Sequence, residues 1–496
     1  MKKRWYRGSI TVFLTLIFVL FLSLICTVLE SIRVEGAKVR SAACLDLGLF
    51  SLFGEYERDL FSEYHVLFLD GSYGTGNLSE EKMETRLKFF MNQNEDVRES
   101  GSKIDWFRVN NIETDIKEYF LATDEGGKPF MDQALLFMEG VEEKRQKKNV
   151  KKEAEDIRKK IQILNQKEKQ LRAFWEESYL KEKKIFGYDP ISWLDLQRDK
   201  EERNEVIPSS FLISKREISG FEKVRERSKN QGGMKIPERK GKEKNLFKNY
   251  LFFTFGNALE QKERKALLYE LEYFLGGYKT DEQNINYIVK ELLKIRWADN
   301  FFCLLQDTAK RKEANEMIQY RKKKMEKKEN KNKRKKEKEI EKEKADERTE
   351  ELILLIWAYR ESLNDLKKLF EGEYISFQKN EEEWEIQNAE FWQEDKIEKK
   401  QNSGEGWNYE DYLWLLFEKN EQDNLPMKAL DLIEWELKSR EETKYFCADC
   451  CVGGIATEAL WQIEPVFFRI TSAFSGIRTQ TIQHRTQGSF FYGMGE

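Results

Sequence analysis

Hydrophobic positions change their spacing along this chain, and each change marks a part. Ile10 to Leu29 runs without a charged side chain; its polar members are Thr11, Thr15, Ser23 and Thr27, whose hydroxyls can bond back to helix carbonyls. At about 1.5 Å per residue this helix is about 30 Å long, the thickness of a bilayer's hydrocarbon core. Leu29, Ile32, Gly36, Val39, Ala43, Leu47, Phe50 and Phe53 then recur at helical steps. That stripe predicts that the helix runs on beyond the bilayer as the spine of an outer domain, through Leu60 and Tyr64. Ala42, Ala43, Gly48 and Gly54 keep its surface narrow enough for close packing.

Next, His65 to Asp70 reads as a short buried strand ended by a tight turn, Gly71-Ser-Tyr-Gly-Thr-Gly76. Ser79 suits the cap of a helix through about Asn92, with Met83, Leu87 and Phe90 on one face. Ile104 to Thr123 is rich in β-branched and aromatic residues and predicts strand, with a break at Asn110-Asn111. Asp124-Glu-Gly-Gly127 reads as a turn before a helix beginning near Pro129. From Asp132 to about Leu180 the pattern is a long charged helix. Val150, Ala154, Ile157, Ile161, Leu164, Leu171 and Trp175 make a heptad seam with Glu168 as its fault, and intramolecular packing is the favoured reading.

Residues 186–245 carry Pro190, Pro208, Pro237 and Gly232-Gly233 among scattered charges and read as a loop-rich linker. Residues 246–320 return to helix: Tyr250 to Phe255 packs in a core, Leu267, Leu271 and Phe274 form one stripe, and Asp281 caps a helix whose Ile285, Ile288, Leu292, Ile295 and Trp297 point inward. Arg321 to Lys344 is Lys/Glu-rich with Met325 and Ile340 its apolar members, so it cannot bury a face; it lies in a charged insertion, 321–350. A second helical core, 351–440, uses Leu354, Trp357, Leu363 and Leu369, a short strand at Glu373 to Phe377, Trp384, Phe391 and Trp392 as surface cover, a helix opened by Gly404 to Trp407, and another from Pro426 to Arg440. Residues 441–496 read as β-rich, with strands at Val466 to Ile470 and Gln487 to Tyr492.

Charge orients the span. Lys2, Lys3, Arg4 and Arg7 crowd its start, with Trp5 and Tyr6 at headgroup depth, while the far side mixes Glu30 and Glu35 with Arg33, Lys38 and Arg40. Cytoplasmic flanks are the basic ones. The expectation is a cell-membrane protein with one pass, a basic cytoplasmic leader at 1–9, the span at 10–29 and the bulk of the chain extracytoplasmic, beginning with an α/β membrane-proximal part at 30–140 and the long charged helix at 141–185. A cleaved signal peptide carries a shorter apolar core and a small-residue cleavage site; here Glu30 to Glu35 follows directly. Gly8-Ser9 does look like a pilin-type leader junction, but counting from Ser9 the fifth residue is Phe13, where pilins usually carry Glu.

The chain of 496 residues has 35% charged residues, yet 86 Lys plus Arg face 90 Asp plus Glu, a balance that argues against a nucleic-acid partner. Six cysteines do not make a disulfide framework at this length. Cys26 lies in the span, and Cys44 and Cys303 read as small buried hydrophobes. Cys447, Cys450 and Cys451 cluster; Cys447-Ala-Asp-Cys450 has metal-ligand spacing but lacks four ligands, since His65 and His484 are distant, and a disulfide among the three is the other reading. Asp70, Asp124 and Glu125 stand at strand ends, where catalytic acids and turn-forming acids both occur. Gly71, Gly74 and Gly76 lack the Lys-Ser/Thr of a phosphate loop. No catalytic, cofactor or metal residue is assigned, and two histidines leave little for acid–base work near neutrality.

Gly8-Ser-Ile-Thr-Val-Phe-Leu14, Leu29-Glu-Ser-Ile-Arg33, Asp46 to Ser51, Tyr64 to Gly74, Leu121 to Gly127, Tyr269 to Tyr273, Leu292 to Phe301, Trp357 to Asp365, Tyr409 to Leu413 and Leu430 to Glu434 together resemble an uncharacterised family of membrane-anchored proteins from Gram-positive anaerobes. That family accompanies Tad-type (tight adherence) pilus and secretion genes, and no activity comes with the resemblance. It implies an accessory or assembly component, not an enzyme, with membrane lipid and other membrane or pilus-assembly proteins as partners and self-association open. An envelope hydrolase or sensor ectodomain using carboxylates is the alternative. The fold expected is α+β, mainly α-helical: a transmembrane helix continuing into an extracytoplasmic domain with a long charged coiled-coil-like helix and a few short β-strands.

Overall fold

A computed structural model of the chain describes residues 6–95, 106–144, 158–173, 218, 223–236, 243–326, 338–377, 379, 383–384, 406–420, 424–469 and 480–493. It is α+β and mainly helical, and divides into two compact units. The first comprises Met1–Val141, Phe221–Tyr250 and Pro426–Glu496; the second comprises Glu142–Gly220 and Leu251–Leu425.

Helix α1, Tyr6–Phe53, organises the first unit. Its early turns leave Phe13, Phe18 and Phe21 exposed; its later turns bury Ala37, Cys44, Leu45, Leu49, Leu52 and Phe53. The helix therefore continues past the apolar run as the spacing predicts, but a different face is buried. Ile32, Val39, Leu47 and Phe50 stay more than half exposed, because the face one step around the helix meets α3 (Glu80–Glu95) and the sheet. Met83, Leu87 and Met91 of α3 lie in that core. Gly48 is what lets α3 approach: a Cβ there would stand 2.7 Å from Met91 Cγ. The helix breaks at Gly54, and α2 (Arg58–Tyr64) resumes with Glu57 as its cap.

Among the described residues, four antiparallel strands form the sheet: β1 (Leu69–Asp70), β2 (Asn110–Leu121), β3 (Cys451–Ile463) and β4 (Ile482–Phe491). β2 runs along one edge of β3, while β1 and β4 follow one another along the other. Only two residues of the predicted His65 to Asp70 strand pair; Val66 and Phe68 are buried without joining the ladder. β2 begins where Asn110-Asn111 was expected to interrupt a strand. Gly453 and Gly454 lie under the Phe120 ring, closer than any Cβ would allow, and Gly488 of β4 sits on Leu45 and Leu49 of α1. The strand expected at Val466 to Ile470 is replaced at 467–469 by a helical turn, because its backbone N–H groups have a buried carboxylate to bond instead of a neighbouring strand. Asp124–Lys144 forms α4, entered through Glu125, Gly126 and Gly127 at positive φ.

In the second unit the helix Asp281–Gln306 buries Ile285, Ile288, Leu292, Ile295 and Trp297 and packs on Lys338–Phe370, which contributes Ile353, Leu354, Leu366 and Leu369. Its cap is Thr280, whose Oγ1 accepts from Gln283 N at 3.2 Å. Asp281 is instead buried, accepting from Leu268 N and Tyr269 N, because a side chain that ties down the preceding loop cannot also cap its own helix. Between these helices Arg296, Lys379 and Lys167 face Asp365, Glu361 and Asp299. Residues 158–173 are helical, burying Leu164 and Leu171 of the heptad seam. Glu168, its fault, pairs with Lys419 inside the same unit. Val150, Ala154, Ile157 and Trp175 lie outside the described residues, as do Phe391 and Trp392 and most of the loop-rich linker. Trp384 is buried, not a surface cover, with the Lys379 ammonium over its ring. The strand expected at Glu373 to Phe377 reduces to a bridge between Ile375 and Trp407. Helix Tyr409–Lys419 opens with a capping box of Asn408 and Asp411.

Candidate functional site

Among the described residues, one helix is long and apolar enough to cross a membrane. Its hydroxyls turn inward as the sequence requires: Thr15 donates to Thr11 O at 3.0 Å and Thr27 to Ser23 O at 2.8 Å. The exposed apolar run ends at Glu30, which is buried and salt-bridged to Arg33 at 2.7 Å. Glu30 Oε2 also accepts from Val466 N, Phe467 N and Phe468 N. The first carboxylate after the run is thus a joint between α1 and the segment that follows β3.

Asp70 closes the turn after β1. Its two oxygens accept from Ser72 N at 2.9 Å and Gly74 N at 2.8 Å. It borders a cavity of about 450 Å³ lined also by Glu55, Glu57, Tyr73, Arg86 and Tyr445. Arg86 Nε holds Glu55 at 2.9 Å. Burial pushes the Glu57 carboxyl up, and the charges of Asp59 and Asp70 add to that. Burial likewise raises the Tyr73 hydroxyl. Asp124 closes the end of β2: it accepts from Leu121 N at 2.7 Å and from Gly232 N at 3.1 Å. Its carboxyl is pushed up by burial against those two bonds. Each acid therefore organises a turn, and Asp70 alone of the two borders the cavity.

Both turns flank Cys451, the first residue of β3. Asp70 is its register partner on one side, and Ala122 N donates to Cys451 O at 2.9 Å on the other. Immediately before it, Ala448–Cys450 is a 3-10 turn, which brings Cys447, Asp449 and Cys450 together with their ligand-type atoms within 4.8 Å of one another. None of the six cysteines, all among the described residues, is in a disulfide.

A segment far away in sequence completes this cluster. Arg227, on the short helix Val224–Arg227, reaches Asp449 Oδ1 at 3.2 Å and Cys447 Sγ at 3.5 Å with Nη1, and grips Glu434 with Nη2. Asn230 donates to Asp449 O at 3.2 Å and reaches Cys450 Sγ at 3.7 Å. Glu434, on the helix Leu425–Lys438, also takes Lys438 Nζ at 2.6 Å and Ala448 N at 2.8 Å. Burial works against the Arg227 charge, but Glu434 and Asp449 outweigh it and raise the guanidinium's pKa. A hydrogen bond from Cys450 lowers the Cys447 thiol to about 7, with Lys438 and Arg227 assisting against burial and Glu434. The same bond and burial push Cys450 up.

The set fits zinc poorly. Asp449 is committed to Arg227, and a dication beside Cys447 would face that fixed positive charge. His65 stacks on Phe137 at 4.1 Å, and His484 lies on β4 opposite Trp461. The sequence singles out the three cysteines and the acids Asp70, Asp124 and Glu125, of which Glu125 pairs with Lys128 at 3.2 Å, but carries no local sign of Arg227, Asn230 or Glu434. Arg227 and Glu434 are 207 positions apart.

Residues 180–320 and 341–463 match the model of a family of unknown function (DUF5702). No curated protein and no solved structure matches the chain.

Proposed function

The chain belongs to this family of unknown function, whose match covers more than half of it, and from that membership and the geometry above we propose that it is a non-enzymatic, membrane-anchored protein of the cell envelope. In this reading it is an accessory or assembly component of a Tad-like pilus or secretion system, with the basic leader in the cytoplasm and the bulk outside. The observation that carries it is α1: one unbroken helix whose first half exposes apolar side chains on every face and whose second half is built into a folded unit. A soluble core helix would bury the first half. Ile32, Val39, Leu47 and Phe50, exposed beyond the span, support contact with other membrane or assembly proteins. The resemblance to Tad-associated proteins supplies the system.

The carboxylate hydrolase reading has less support, because Asp70 and Asp124 are both occupied by backbone N–H groups. Three measurements test the proposal. Protease added to intact protoplasts should digest nearly the whole chain. A strain lacking the protein should make pilin but display no pili. Purified protein should leave peptidoglycan intact; hydrolysis that disappears in Asp70→Asn or Asp124→Asn would establish the alternative.

A further inference from the structure

The cysteine turn is more than a packed corner. Two thiols stand across a 3-10 turn, a guanidinium touches one of them, and an amide touches the other. Cys447, at 9% exposure, is the more exposed residue of the pair and follows directly on Phe446, which lines the cavity; Cys450 lies deeper at 1%. Nothing in the folding of β3 requires this arrangement. Ala448 N and Cys450 N already have their acceptors in Glu434 and Cys447 O, so the thiols are surplus to the turn.

We propose that Cys447 and Cys450 are a thiol–disulfide exchange pair, with Cys447 as the attacking sulfur, Cys450 as the resolving sulfur, and a low-molecular-mass disulfide as the substrate, consumed once per dithiol.

The chemistry follows from the placement. A thiolate attacks, and a neighbouring cation stabilises it. Arg227 and Lys438 supply positive charge at Cys447, partly offset by Glu434 and Asp449, and the Cys450 S–H donates to Cys447. Cys447 Sγ attacks one sulfur of R–S–S–R′. The S–S bond breaks, R′S⁻ leaves and takes up a proton, and Cys447 is left in a mixed disulfide with RS. Cys450 then gives up its proton and attacks the Cys447 sulfur, forming the Cys447–Cys450 disulfide and expelling RS⁻, which is protonated. The substrate gains two electrons and two protons, and the dithiol loses them. Cys450 stays protonated until that second step because burial and the Cys447 charge both disfavour its thiolate. Cys451 takes no part: it is fully buried, and its thiol donates to Cys447 O at 3.6 Å. Arg227 acts as a positioning residue.

The test uses the full chain in detergent, equilibrated with graded ratios of reduced to oxidised glutathione, quenched with acid, unfolded, alkylated and mapped by peptide mass. Cys447 and Cys450 should lose alkylation together in one two-electron step while Cys451 stays alkylated. Cys450→Ser should trap glutathione on Cys447, and Arg227→Gln should slow adduct formation several-fold at neutral pH. The proposal is overturned if both cysteines stay alkylated at every ratio, if the adduct in Cys450→Ser forms on Cys451 instead, or if one zinc per chain co-purifies and blocks alkylation until it is chelated. Should Arg227→Gln fail to fold, Cys450→Ser still decides the matter.

Discussion

Arg33 Nε donates to Glu30 Oε1 at 2.9 Å, one helical turn apart and both buried, where the exposed apolar half of α1 meets its packed half. Arg33 also donates to Trp106 O and Glu464 O, and Glu30 receives three N–H groups from Val466 to Phe468. One ion pair thus ties α1 to the loops at the far ends of β2 and β3. Removing one partner of a buried pair leaves an uncompensated charge, at a cost of about 3–5 kcal/mol. Glu30→Ala should lower the melting temperature of the detergent-solubilised protein by many degrees, and Glu30→Gln by less. A melting curve unchanged in Glu30→Ala would show that the joint carries no stability.

Leader retention follows from the same place on the helix. After a cut at Gly8, the new ammonium of Ser9 would enter a run that offers no carboxylate before Glu30, and Glu30 is already engaged. An uncompensated ammonium in the bilayer is costly. Met1 to Gly8 should therefore remain on the mature protein. N-terminal sequencing of membrane-extracted material decides it, and a chain starting at Ser9 would place the protein among the pilin-like subunits.

Glu272 predicts a pH dependence. It is fully buried; Oε1 accepts from Tyr409 Oη at 2.7 Å and Ala258 N at 2.9 Å, while Oε2 has no hydrogen-bond partner among the described residues. Burial, with the Asp281 charge adding, moves its carboxyl from 4.5 up to about 7. Between those values the folded chain holds a proton that the unfolded chain releases. Stability should therefore fall as pH rises from about 4.5 to about 7 and level off above, by about 3 kcal/mol for this group. Denaturant titrations across that range should show the slope, and Glu272→Gln should remove it while keeping the bond to Tyr409.

The charged tract should be dispensable for folding. In the helices Thr308–Glu326 and Lys338–Phe370 the described buried contacts lie outside it: Ala314 and Ile318 on one, Glu350 and Ile353 on the other. Arg311 and Asn315 both hold Glu350, at 2.6 and 2.7 Å. Replacing Arg321 to Lys344 with a short Gly/Ser bridge should shift the melting temperature by no more than a few degrees. A collapse of the cooperative transition would show that the tract packs.

Local signals were legible where one residue type does one job. The uncharged run, Ser79 before α3, the glycine turns and the inward face of Asp281–Gln306 all appear in the structure where periodicity puts them. Errors arose where two faces or two caps competed. Ile32, Val39, Leu47 and Phe50 make a regular apolar row, yet α3 and β4 chose the neighbouring row of smaller residues, Ala37, Ser41 and Cys44, which allows closer approach. Asp281 looks like a better cap than Thr280, but its carboxylate serves the preceding loop. Long-range pairing was not legible at all: nothing near Arg227 announces Glu434, and nothing near Leu69 announces Val452.

That pairing sets a timetable for synthesis. β3 and β4 lie far downstream of α1, and both the Glu30 joint and the floor beneath Leu45 and Leu49 use residues after Cys451. A ribosome adding about 5–20 residues per second needs roughly 20–90 s to travel from α1 to β4. During that time the α1 positions that meet β4 and the segment after β3 have no partner to cover them. A chain truncated before Cys451 would therefore carry α1 without β3, without β4 and without the N–H groups that hold Glu30.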